Sequence, residues 1–107
     1  MINLLGYAAD FFAGAFLCNC LPHLICGLQG APFPSPFSKP RGIGDSSPLV
    51  NFLWGAFNLF VGLLLLSWNP VAIGFHLDFA ALIAGFLALG VQLSVHFAKV
   101  RKGGFTK

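Results

Sequence analysis

The chain has 107 residues, of which 57% are hydrophobic and 8% charged, with 13 Phe and a formal charge of +3 from six Lys/Arg against three Asp/Glu. Soluble domains carry roughly 25% charged residues, so this composition excludes an ordinary soluble fold and points to an integral membrane protein. Three spans of about 20 residues consume the length and leave no room for a soluble catalytic domain, and no basic patch interleaved with aromatics offers a nucleic-acid surface.

The first apolar segment predicts helix 1 over about 2–26. Pro22 removes a backbone donor and is expected to bend or end it near Leu21. The segment has no Lys/Arg n-region, and Asp10 interrupts the apolar run that a secretory signal needs, so it reads as a retained helix. On a 3.6-residue period Gly6, Asp10, Ala13, Leu17 and Cys20 share one face, with Gly14 beside them. Small residues let membrane helices approach closely, which turns Phe11, Phe12 and Phe16 toward lipid.

A loop follows over about 27–47, holding Pro32, Pro34, Pro36 and Pro40 with Phe33 and Phe37 between them. This run cannot be helical. Extended, polyproline-like backbone with burying rings suits the membrane interface or a partner, and Phe33, Pro34, Pro36 and Phe37 are the candidate docking residues. Ser47 as N-cap and Pro48 at the first helical position then start helix 2.

Helix 2 is expected over 48–68, and its 21 residues span roughly 31 Å, close to the bilayer hydrocarbon. Trp54 and Trp68 lie toward its two ends as interfacial anchors, and Asn51, Gly55, Asn58 and Gly62 share one face. Ser67–Pro70 forms the turn. Helix 3 is expected over about 71–99, uncharged from Phe79 to Ala98, with Ala81/Gly85 and Ala84/Ala88 as small-residue pairs. Residues 71–78 either extend it or lie at the surface, and a basic tail occupies 100–107.

Three spans place the first loop and the tail on the same side, and that side carries every Lys/Arg: Lys39, Arg41, Lys99, Arg101, Lys102 and Lys107. By the positive-inside rule the N-terminus is outside and the C-terminus cytoplasmic. The expected fold is a single membrane domain of all-α class, with three transmembrane helices and a Pro/Phe-rich cytoplasmic loop between helices 1 and 2. A multi-pass protein of the bacterial inner membrane fits this pattern.

Cys18, Cys20 and Cys26 are odd in number and crowded, which is no disulfide framework. With His23 they form C-x-C-x2-H-x2-C, a set able to hold a thiophilic metal. On an unbroken helix their directions spread over about 200°, so convergence requires Pro22 to unwind the segment. The alternative is cysteine as a small apolar packing residue. His23 and His96 fall at similar depth on helices 1 and 3, where a haem b held by both is conceivable, against the plainer reading of interfacial histidines.

Asp10 is costly inside a helix and must face protein, a cavity or the interface. With His76 and Asp78 it forms a candidate ion or proton site. Structurally, it hydrogen-bonds a neighbouring helix through Asn58 or another polar group. Asn19, Asn51, Asn58 and Gln92 can donate and accept between helices and specify packing. Phosphate-binding loops, zinc-protease pairs and nucleophile elbows are missing, so the chain reads as no enzyme, with no resident cofactor as the first expectation.

The small-residue faces exceed what one intramolecular contact would use. The partners expected are the lipid bilayer and other membrane subunits or further copies of the chain, with no nucleic acid. That favours an accessory, structural or assembly subunit of a larger membrane complex. Two alternatives remain: a homo-oligomeric channel or proton-coupled transporter built on Asp10, and a haem- or metal-binding electron-transfer subunit.

Overall fold

The computed structural model describes residues 4–103. In chain order it consists of α1 (Leu4–Leu28), β1 (Phe33–Pro34), β2 (Asp45–Ser46), α2 (Pro48–Trp68) and α3 (Leu77–Lys102). The expected start of helix 1 at residue 2 and the tail from 104 on, with Lys107, lie outside the described residues. All three helices are long and apolar enough to cross a membrane.

α1 does not stop at Pro22 but runs on to Leu28. Unwinding it there would leave backbone N–H and C=O groups in hydrocarbon, at several kcal/mol each. Packing also supports it there: a Cβ on Gly55 of α2 would lie within 2.7 Å of the Leu24 nitrogen and 3.1 Å of the Cys20 carbonyl oxygen, so the two backbones meet around the proline. The helix ends where Gly30 takes φ +72° and the Cys26 carbonyl accepts from Ala31 N at 2.9 Å. Glycine reaches that left-handed conformation without steric cost.

α2 keeps its expected bounds, with Ser47 as N-cap accepting from Val50 N and Pro48 in the first turn. Its buried residues are Asn51, Gly55, Asn58 and Gly62, the face that the 3.6-residue period marks out. It packs antiparallel to α1. Gly55 lies on Leu24 and Gly62 on Leu17, so a step of seven along one helix meets a step of seven back along the other.

α3 begins six residues later than position 71. Pro70 disfavours helical backbone at Asn69, and Gly74 has φ +149°, so 70–76 forms a surface connection. α3 lies parallel to α1, and their backbones nearly touch: a Cβ on Gly14 would overlap the Leu82 carbonyl, and one on Gly85 the Phe11 carbonyl. α1 is thus the middle of three, flanked by α2 and α3, which barely touch each other.

Candidate functional site

Three tiers of polar side chains join α1 to α2 and its flanking turns. In the first, Asn51 is fully buried and its amide donates to the carbonyls of Phe33 at 2.8 Å, Ser46 at 3.2 Å and Ser47 at 3.1 Å. Those three acceptors orient the amide, so its oxygen faces His23 and accepts from Nδ1 at 2.7 Å. One side chain therefore ties α1, the start of α2 and both strands together.

In the second tier Asn19 Nδ2 donates to Asn58 Oδ1 at 3.0 Å, and Asn58 Nδ2 donates to the Trp54 carbonyl at 2.7 Å. The third lies at the opposite end. There Asn69, the C-cap of α2, donates to Asp10 Oδ2 at 2.7 Å and to the Gly6 carbonyl at 3.3 Å. Asp10 is completely buried, and its Oδ1 has no hydrogen-bond partner. Asn69 is the partner that sequence reasoning missed, because it lies past the helix, where periodicity carries no information. Asn58 pairs with Asn19 instead.

Asp78 and His76 do not complete an ion site with Asp10. Asp78 Oδ1 accepts from Phe79 N at 2.8 Å, as a carboxylate in the first turn of a helix does. His76 is exposed as the N-cap residue of α3 and makes no capping bond. Among the described residues no three His, Cys, Asp or Glu side chains are grouped to hold a metal.

The same holds at Cys18, Cys20, His23 and Cys26. Because α1 stays helical through Pro22 the four keep their separate directions, and convergence on one metal is not seen. Cys18 and Cys20 are buried in packing. Cys20 Sγ donates to the Leu17 carbonyl at 2.9 Å, and Cys18 Sγ lies beside Gly90 of α3.

His23 and His96 are not left facing an open gap. The Phe33 ring centroid is 5.5 Å from His23 and 4.7 Å from Phe97, whose ring is 4.9 Å from His96. Two phenyl rings, Phe33 and Phe97, thus link the two imidazoles in a chain of ring contacts. His96 Nε2 donates to the Gly42 carbonyl at 2.6 Å, anchoring the loop to α3.

The loop is a folded cap, and this corrects half of its docking surface. Phe33 and Pro34 are buried in the chain's own interior as β1, which pairs antiparallel with Asp45–Ser46. Asn51 holds the Phe33 carbonyl, and the Phe33 ring packs between His23 of α1 and Phe97 of α3. Pro36 and Phe37 remain exposed. Ser35 organises the rest: its carbonyl accepts from Ser38 N, Ser38 Oγ and Gly42 N, and its hydroxyl bonds Ser46 Oγ at 2.6 Å.

α3 leaves most of its surface uncovered. Ala80, Ala84, Ala88 and Gln92, four residues apart, all face outward, and the Gln92 amide has no hydrogen bond among the described residues. Of the two small-residue pairs, Gly85 is consumed against α1 and Ala84/Ala88 is free. No protein-family model, no curated protein and no solved structure matches this chain.

Proposed function

We propose that the chain is a non-catalytic accessory, structural or assembly subunit of a larger complex in a bacterial inner membrane. The observation that carries this reading is Gln92. An amide facing hydrocarbon without a partner is unfavourable, and the alanine ridge beside it is shaped for a second helix at close range. A neighbouring subunit supplies both the partner group and the surface.

Orientation follows from charge. Lys39, Arg41, Lys99, Arg101 and Lys102 all lie at the loop end, and among the described residues no Lys or Arg lies at the Asn69 end. The loop end therefore faces the cytoplasm and the turn between α2 and α3 the outside. Extraction of the native membrane in mild detergent tests the main proposal: other chains at fixed stoichiometry support it, and Gln92→Leu weakens their retention. A homogeneous ring or dimer of this chain alone overturns it.

The unpaired Asp10 Oδ1 favours a second reading, a homo-oligomeric channel or proton-coupled transporter. Flux in reconstituted vesicles that Asp10→Asn abolishes would support it. Equal flux in the variant removes it.

A further inference from the structure

Five cations, Lys39, Arg41, Lys99, Arg101 and Lys102, stand exposed at one end of the helices, and none makes an ion pair or side-chain hydrogen bond among the described residues. Among the described residues the only carboxylate at that end is Asp45, which shares a small hollow with Arg101 and Phe97. Lys39 and Arg41 do not line that hollow. They line a separate hollow of about 430 Å³ with Pro36, Phe37 and Ser38. The Ser35-centred hydrogen bonds and the His96–Gly42 contact hold their backbone in place, so the two cations are presented from a fixed frame.

Directly beside this polar hollow runs an apolar one of about 400 Å³, lined by Phe37, Val50, Leu53, Trp54 and Phe57. Phe37 belongs to both. Its ring meets Trp54 edge-on at 5.3 Å, and Trp54 stacks on Phe57 at 5.7 Å. Trp54 is about two turns into α2, roughly 9 Å from its start, so the loop folds down along the helix as far as Trp54. A cationic hollow continuous at one residue with an apolar groove has the two-part chemistry of a phospholipid: phosphate at one end, hydrocarbon at the other.

We propose that Lys39 and Arg41 bind the phosphate of an anionic phospholipid whose acyl chain lies in the Phe37–Trp54–Phe57 groove. The occupant is a membrane lipid, since a soluble anion would satisfy the cations and leave the groove bare. Charge selects the lipid: each Lys or Arg near the surface attracts anionic lipid, and neither of these two makes an ion pair among the described residues.

The test uses the full chain carrying Trp68→Phe, so that Trp54 is the only tryptophan, reconstituted in bilayers of phosphatidylcholine with a fixed fraction of brominated lipid. Brominated phosphatidylglycerol is expected to quench Trp54 with a relative binding constant roughly tenfold above that of brominated phosphatidylcholine. Lys39→Gln with Arg41→Gln should bring the ratio to about one while far-ultraviolet circular dichroism stays unchanged. Lys99→Gln, Arg101→Gln and Lys102→Gln together should leave most of it. Equal quenching by both lipids overturns the proposal, as does a preference that survives the loop pair and disappears with the helix set. Loss of the preference on adding inorganic phosphate at constant ionic strength would assign the cations to a soluble anion and overturn it too.

Discussion

The Asn69 side-chain amide donates to the Asp10 carboxylate at 2.7 Å across 59 positions of sequence. It closes the end of the α1–α2 pair opposite the loop, as Asn51 and His23 close the loop end. Between them, glycines at 55 and 62 let the backbones approach. Polar locks at both ends and small residues in the middle resist sliding of one helix along the other, since any shift breaks the buried hydrogen bonds together.

Asn69→Ala is expected to destabilise the protein by about 1 kcal/mol, within the range measured for side-chain hydrogen bonds in membrane proteins. Asp10→Asn should cost less, because an amide can still accept from Asn69. Unfolding in mixed micelles with rising dodecyl sulfate measures both, and a double-mutant cycle isolates the pair. Additive losses would show that the two side chains do not interact.

Asn51→Ala should be among the most damaging single substitutions, at about 3 kcal/mol or more, because His23 Nδ1 and the carbonyls of Phe33 and Ser46 lose the side-chain amide in a buried place, while the Ser47 carbonyl keeps the backbone N–H of residue 51. Asn58→Ala removes fewer bonds and is expected to cost about 1 kcal/mol. The loop should also become sensitive to proteolysis in the Asn51 variant alone. Equal losses at the two positions would refute the role assigned to Asn51.

The two aromatic residues of the loop are expected to part company. Phe33→Ala opens a cavity beside His23 and Phe97 and should cost about 3 kcal/mol, whereas Phe37→Ala, on the exposed rim, should leave folding nearly unchanged. Comparing their unfolding midpoints decides it, and a larger effect at Phe37 would invert the packing described above.

Gly85→Ala places a methyl group against the Phe11 carbonyl. It should prise α3 from α1 at a cost of about 1–3 kcal/mol. Ala84→Leu, one position away and facing outward, should leave the isolated chain as stable as before and reduce retention of the partner subunits proposed above. If Ala84→Leu unfolds the chain, α3 packs through the other face.

Much of this architecture is legible in the residues themselves. Hydropathy and length mark three spans because the bilayer imposes both locally, and the Asn51, Gly55, Asn58, Gly62 face emerges because helical period is a property of one helix alone. Ser47 and Pro48 announce the start of α2 for the same reason. Tertiary structure alone decided the rest. Pro22 is carried through because α2 leans on α1 there. Asp10 pairs with Asn69 because the turn folds back, Phe33 turns inward because Asn51 captures its carbonyl, and Gln92 is left facing outward because α1 occupies the opposite side of α3. Each of these depends on which element lies alongside, and periodicity within a helix holds no record of its neighbour.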